Sequence, residues 1–532
     1  MLHLERSAFL DNRRTSRRAS APRAGGLSKS RAPFPGRGAR PLKIMRTSIM
    51  LFCIMKFLDR QNELARLDRI ASSDEAGLAV VYGRRRVGKT RLLLEWTKKH
   101  GGLYTVADQS VADLQRGYFA EAVGGKLAGF AEVEYRDWRT LLSRLAREAQ
   151  AAGWRGPLVF DELPYLVLAS PELPSVLQRW IDHEAREARL QVAIAGSSQR
   201  MMQGFVLSGD APLYGRAREI LEIQPLEPLY LRDVFDVADG IRWGELFTAW
   251  GGIPRYWELA QEEGGDVVSQ VDRLVLDPLG PLHREPDRLL LEEIPSALET
   301  RPLLDAIGTG AHRVSEIAGR LGRPATSMAR PLDRLLGLGL VRREVPFGED
   351  EKSGKRALYK IADPFFRLWF RVVAPLRAQL ASGTPAVRRQ ILARFWDTLC
   401  AQSWEDLCRQ QLPRLGDDSS LGRLGPWGPA SRWWHGAQPE WDTVSESIDG
   451  KRILLGEAKW SARPFARRSL EQALRELAAR PHPPLPSRLA DAEVVRALFV
   501  PEVSGKPGDL PKTTGGLVLT ARDLTAGSAI PG

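Results

Sequence analysis

The chain has 532 residues, with 77 Lys+Arg against 65 Asp+Glu and a formal net charge of +12. Its 43% apolar and 27% charged residues exclude wholesale disorder, and the length predicts three or four domains of about 150 residues each. Cys53, Cys400 and Cys408 are its only cysteines, too few for a disulfide scaffold or a multi-Cys zinc site, and they point to a reducing cytoplasm.

The charge is unevenly spread. Residues 1–54 hold 12 Lys+Arg and two acids, so this leader carries +10 and residues 55–532 carry +2. The leader is rich in Arg, Ser, Ala, Pro and Gly without helical or strand period, which predicts disorder. Three readings of it stand open: a nucleic-acid-binding arm, an organellar transit peptide, or an over-extended gene start with Met50 or Met55 as initiator. The apolar run Ile49–Met55 is far short of the roughly 20 residues of a membrane span. No other uncharged run approaches that length, so no transmembrane helix is expected.

Leu78–Tyr82 is a β-prone apolar run of the buried parallel type. It leads into Gly83-Arg84-Arg85-Arg86-Val87-Gly88-Lys89-Thr90, the G-x-x-x-x-G-K-[ST] Walker A pattern. The glycines let backbone N–H groups face phosphate oxygens, Lys89 reaches the β/γ-phosphates, and Thr90 binds Mg²⁺. A helix Thr90–His100 directs its positive end at the phosphates, and Gly101-Gly102 stops it. Pro157–Phe160 is an apolar strand ending in Asp161-Glu162, a Walker B arrangement. Asp161 serves the Mg²⁺ shell and Glu162 orients or deprotonates the attacking water. A third strand, Leu190–Ala195, ends in Gly196-Ser197-Ser198, where Ser197 is either a γ-phosphate sensor or part of a plain turn. Arg216 and Arg218 are each either exposed structural residues or an arginine finger, acting in cis or from a neighbouring subunit of a homo-oligomer. Alternating strands and helices make residues 55–260 an α/β domain with a mainly parallel sheet.

Phe57-Leu58-Asp59-Arg60-Gln61-Asn62-Glu63-Leu64 resembles the FxxRxxEL motif that opens the "archaeal ATPase" group of AAA-type ATPases, close to the STAND NTPases. The Walker A loop, the Asp-Glu pair, the Ala-Gly-Ser-Ser strand end, Pro212–Arg216 and Gly251–Tyr256 match its pattern in order. The match begins at Phe57, which favours Met55 as the natural start. The resemblance implies a P-loop NTPase fold, ATP binding and slow, regulated hydrolysis.

Residues 261–300 are expected to form a helical linker or lid. Over 301–375, helices at Arg301–Ile307, Val314–Leu321 and Thr326–Leu336 are followed by strands Leu340–Val345 and Ala357–Ile361 around the charged loop 348–355, a winged-helix pattern. This segment has 14 Lys+Arg and 8 Asp+Glu. Bound to double-stranded DNA, Ser327, Arg330 and Arg334 would face the major groove, and Lys352, Lys355 and Arg356 the phosphates. Pro331 is expected to kink the recognition helix. A protein-interaction module is the alternative. Tyr359–Phe370 resembles the Asp-Pro-aromatic segment that ends this domain in the same ATPase group, and its aromatics read as core.

In residues 385–525, a helix Arg394–Gln411 carries Glu405. Glu440–Val444 and Arg452–Trp460 are strands joined through Asp449-Gly450, a hairpin signal. Glu457 and Lys459 project from one strand face, and the hairpin brings Asp442 beside them. Such a set suits one or two Mg²⁺ ions for water attack on a phosphodiester. A helix Ser469–Ala479 and strands Val494–Val500 and Gly516–Thr520 complete an αβ core. This arrangement resembles the PD-(D/E)xK nuclease fold that the same ATPase group carries at its C-terminus. By that resemblance Glu405, Asp442, Glu457 and Lys459 fill its catalytic roles, with Asp442 and Glu457 as metal ligands. Trp427, Trp433, Trp434, Trp441 and Trp460 either stack on bases or fill the core, and no metal pattern includes Cys400 and Cys408. The different-class alternative is a signalling or regulatory NTPase whose C-terminal domain only binds a partner.

Overall fold

Short aliphatic runs closed by glycine or an acid build the first sheet. The computed structural model describes residues 55–293, 297–350, 352, 354, 356–505 and 516–526, so the basic leader 1–54 and Lys355 lie outside the described residues. Strands β1 (Gly77–Tyr82), β2 (Leu103–Val106), β3 (Leu158–Asp161), β4 (Gln191–Gly196) and β5 (Glu219–Glu222) pair in parallel in the order β2-β3-β4-β1-β5. Tyr82 pairs with Gly196 and Val106 with Asp161. The C-terminal ends of β1, β3 and β4 therefore meet at one edge. This is an α/β fold with the parallel sheet of a P-loop NTPase. Strand side chains alternate between two cores: Leu78, Val80 and Phe160 face one, and Ala79, Val81 and Val159 the other.

The middle region follows the expected order with shifted boundaries. Helices Ala297–Gly308, Val314–Leu321 and Ala329–Gly337 precede an antiparallel pair, β6 (Val341–Glu344) and β7 (Leu358–Ile361), in the register Val341↔Ile361. The kink expected at Pro331 is absent for a positional reason. A 3₁₀ turn, Ala325–Met328, comes first, so Pro331 is the third residue of its α-helix. There its missing N–H has no intrahelical partner to lose.

The second sheet has the order β12-β11-β10-β9-β8, from β8 (Ser431–Trp433), β9 (Trp441–Glu446), β10 (Arg452–Ala458), β11 (Glu493–Phe499) and β12 (Leu517–Leu519). One face packs on helix Arg467–Ala479 through Ile453, Leu455, Leu470 and Leu474. The other carries Leu454 and Phe499 into a core that runs through Trp404, Trp369, Phe365 and Trp250 to β1. One core therefore joins the ATPase sheet to the C-terminal sheet. Trp427, Trp433, Trp434 and Trp441 are buried, and Trp460 packs on that core beside Trp404. Of the two readings of these tryptophans, core packing is the one that their burial matches. Gly244 shows how tight the contact is: a Cβ there would stand 2.5 Å from the Trp460 ring. Among the described residues no helix is long and apolar enough to cross a membrane.

Candidate functional site

The Walker A segment leaves β1 as a loop with three residues at positive φ: Gly83 (141°), Arg86 (66°) and Gly88 (99°). Gly83 has no room for a side chain, since a Cβ would meet the Ile223 carbonyl oxygen at 2.5 Å. Helix Lys89–His100 starts directly after Gly88 and ends on left-handed Gly101. The buried Lys89 donates from Nζ to the carbonyls of Gly83 at 2.8 Å and Arg84 at 3.0 Å. Its ammonium thus lies folded across the loop, held by backbone carbonyls.

Asp161, at the end of β3, is 1% exposed. It accepts from Thr90 Oγ1 at 2.8 Å and from the Tyr104 hydroxyl of β2 at 2.6 Å. Burial, with the Asp161 charge adding, raises the Tyr104 phenol and keeps it a donor. Glu162 holds a left-handed conformation, φ 55° and ψ 43°, rare for a non-glycine residue. It accepts from Ser197 Oγ at 2.9 Å and Ser197 N at 3.3 Å. Lys89, Thr90, Asp161, Glu162 and Ser197 therefore meet at one edge of three adjacent strands.

The three loop arginines do not share a direction. Arg84 donates to Asp363 at 2.8 Å and lies 4.5 Å over the Phe366 ring. Arg85 donates to the Tyr165 hydroxyl at 2.6 Å. Arg86 pairs with the buried Glu285 at 2.7 Å, which also accepts from Tyr256 at 3.3 Å. Burial raises the Glu285 carboxyl, and Arg86 opposes the rise. Arg84 and Arg86 thus tie the loop to segments beyond residue 260, and the loop runs on through Val87 and Gly88 into the helix. Arg60 braces it from below through the carbonyls of Val87 (3.1 Å) and Gln224 (2.7 Å). Arg216 forms a two-pronged pair with Asp182 at 2.8 and 2.9 Å. It lines a cavity with Gly77 and Leu78 at the opposite end of β1 from the loop. Its side chain does not reach the site of its own chain, so the cis form of the arginine finger is corrected.

The C-terminal set gathers in part. Gly456 pairs with Thr443 across β9 and β10, and continuing that register sets Glu457 opposite Asp442. Asp442 accepts from Ala458 N at 3.0 Å. Burial raises its carboxyl, and the Ala458 N–H, Arg432 and Arg409 oppose the rise. Glu405, on helix Pro385–Gln411, is raised by burial and then by the Asp442 charge. Glu457 is held by Arg480 and by Lys459 at 3.5 Å, and Lys459 also reaches Glu476 at 3.4 Å. Among the described residues no three His, Cys, Asp or Glu side chains converge to cage a metal. Beside this set, the buried Asp406 accepts from Arg342, Arg367 and Arg409. Burial alone would raise its carboxyl; the three guanidiniums outweigh that and hold it well below the ordinary range.

Residues 57–256 match the family model described as an ATPase domain predominantly from Archaea. This segment is an archaeal-type ATPase domain. Residues 369–473 match a second family, described as archaeal and bacterial proteins of unknown function. The uncharacterized protein MJECL04 of Methanocaldococcus jannaschii is 28% identical over 411 residues, 76% of this chain and 87% of that protein. Among solved structures, the Walker-type ATPase PABY2304 of Pyrococcus abyssi aligns at 20% identity and a TM-score of 0.44, over 59% of this chain and 96% of its own. The ORC2 protein of Aeropyrum pernix aligns at 14% and 0.41, over 62% and 96%.

Four residues of the ATPase domain's surroundings carried no functional assignment from sequence: Tyr104, Tyr165, Glu285 and Asp363. Asp363 had a signal, the Asp-Pro-aromatic segment. Tyr104 follows Gly101-Gly102 in a β-prone run, Leu103–Val106, a signal for the strand that was not among the expected ones. Glu285 and Tyr165 lie in unremarkable helical sequence, and only the folded chain brings them to the loop.

Proposed function

We propose that the ATPase domain binds ATP through the Walker A backbone, Lys89 and Thr90, and hydrolyses it with Glu162 as the water-orienting base and Ser197 as its positioner. The observation that carries this reading is the meeting of Lys89, the Thr90–Asp161 pair and the Glu162–Ser197 pair at one sheet edge. The Thr90 hydroxyl and Asp161 carboxylate are hard oxygen donors 2.8 Å apart, and such donors fit Mg²⁺. Mg²⁺ bound there neutralises charge on the β- and γ-phosphates. With ATP bound, Lys89 would exchange its two loop carbonyls for phosphate oxygens, and Thr90 and Asp161 would be the residues that hold Mg²⁺. Glu162, held by Ser197 at 2.9 Å, would be the carboxylate that orients the attacking water.

The same proposal reads residues 297–361 as a winged helix directed to duplex DNA. Ser327, Arg330 and Arg334 are exposed on one stretch, as is Lys352, while Arg356 is paired with Glu349. The C-terminal sheet is read as a PD-(D/E)xK-like domain with Glu405, Asp442, Glu457 and Lys459 as its site. Mg²⁺ is commonly held by one or two carboxylates plus substrate phosphates, and the facing Asp442 and Glu457 are such a donor pair. Bound there, the metal supplies an activated water for phosphodiester hydrolysis, and Lys459 steadies developing negative charge. A plasmid and linear DNA cleavage assay with and without ATP and Mg²⁺ tests this half. Cleavage by the wild type should vanish in Asp442→Ala and Lys459→Ala. Cleavage unchanged in both variants, or none under any condition, removes the nuclease reading. The pairing of Glu457 with Arg480 and Lys459 favours the second reading, a non-catalytic partner-binding module driven by the ATPase.

A further inference from the structure

A cavity of about 370 Å³ opens between the β6–β7 hairpin and helix Pro385–Gln411. We propose that it binds a phosphate monoester, presented at the 5′ end of a nucleic-acid strand. The strand-end identity rests on reading the adjacent acids as a nuclease-like site; the phosphate chemistry does not.

The cavity has the volume of a small-molecule site. Its lining cations are Arg342, Lys360, Arg367, Arg371 and Arg432, against the acids Glu405, Asp406 and Glu440. Glu344, paired with Lys360 at 3.2 Å, is a fourth acid behind the wall; five cations against four acids leave one positive charge to attract an anion. Four of the five are guanidiniums, whose planar fork matches phosphate oxygens.

These cations are fixed before any ligand arrives. Arg342 and Arg367 are anchored on Asp406, and Arg432 on Glu440 at 2.8 Å. Arg371 donates to the Thr309 carbonyl at 3.1 Å and lies 5.5 Å over the Phe395 ring. Lys360 pairs with Glu344 at 3.2 Å. Burial, with Arg432 and Arg342 adding, still lowers its pKa despite the opposing Glu344, and an anion in the cavity would oppose that loss.

Glu405 is shared between the cavity wall and the pair it forms with Asp442. A strand end anchored on the cation side therefore lies next to the acids, which gives the cavity a role in choosing where a strand is engaged.

The test is fluorescence anisotropy with the full chain in EDTA, without ATP, using one short single strand carrying a 5′-phosphate or a 5′-hydroxyl. The phosphorylated strand should bind roughly 10-fold tighter or more, as charge-assisted hydrogen bonds provide. Arg371→Ala and Lys360→Met should each bring that ratio towards one, and Lys89→Ala should leave it intact, which separates the cavity from the ATP loop. Equal binding of both strands by the wild type overturns the strand-end assignment. If a deoxynucleoside 5′-monophosphate then shows the same Arg371 and Lys360 dependence, the phosphate site stands with a free nucleotide as its ligand. A ratio that survives both cavity variants overturns the site itself. Asp442→Asn should keep the ratio, so the absence of Mg²⁺-dependent cleavage strikes only the nuclease reading.

Discussion

Glu162 combines a carboxylate beside the Walker site with a left-handed backbone, and such strain costs on the order of 1–3 kcal/mol. The cost fits a residue whose direction matters more than its local stability: the turn aims Glu162 at Ser197 while Asp161 stays on Thr90. Glu162→Gln keeps the shape and removes the base. ATP turnover should fall by about 100-fold or more, with ATP affinity within a few-fold of wild type by calorimetry; unchanged turnover would remove Glu162 from the mechanism. Asp363 is the ion-pair partner of the loop residue Arg84. Asp363→Asn leaves Arg84 buried without its counter-ion, and breaking such a pair costs about 3–5 kcal/mol. The denaturation midpoint should drop accordingly, and the ATP dissociation constant should rise because the loop loses its tether. A loss of stability with unaltered ATP affinity would make the pair purely structural.

At the scale of elements, the long apolar runs were legible: β1, β3, β4, β10 and β11 fall within a residue or two of the runs read from sequence. Two short edge strands were not. Glu219–Glu222 and Ser431–Trp433 are four and three residues long, polar at their ends, and are fixed by neighbouring strands instead of their own pattern. Helix Pro385–Gln411 begins well before the expected Arg394, although Thr384 caps it and Pro385 occupies its first position, a start signal present in the sequence. Of the candidate site, the Walker residues follow from spacing alone. The tethers Arg84–Asp363 and Arg86–Glu285 do not, because they join positions far apart in the chain. The hairpin and helix are joined by a buried charge network that also could not be read. Its centre is Asp406, and in it Arg342 and Lys360 outweigh burial to lower Glu344 from its ordinary 4.5 to about 2. Carboxyls depressed by folding stabilise above their unfolded values, and that contribution is lost as pH falls through the folded ones. Stability in urea should therefore decline as pH falls from about 4.5 towards 2. Asp406→Asn should lower stability at pH 7 by about 3–5 kcal/mol and flatten that decline. An equally steep decline in the variant would place the titration elsewhere.

At the scale of the molecule, the net charge of +12 is a poor guide to function. Ten of those charges fall on residues 1–54, and 55–532 carry +2. Many cations beyond the leader are committed to internal pairs, as Arg84, Arg342, Arg367 and Arg388 show. What joins the parts is the continuous core from β1 to Phe499, with Arg84 and Arg86 bonded to segments outside the ATPase domain. The Walker loop is therefore attached through two ion pairs to the C-terminal half of the chain. The most direct test of the central claim is calorimetric titration of ATP with Mg²⁺ into the full chain and into Lys89→Ala. The account predicts saturable binding by the wild type and none by the variant; the same affinity in both would contradict it.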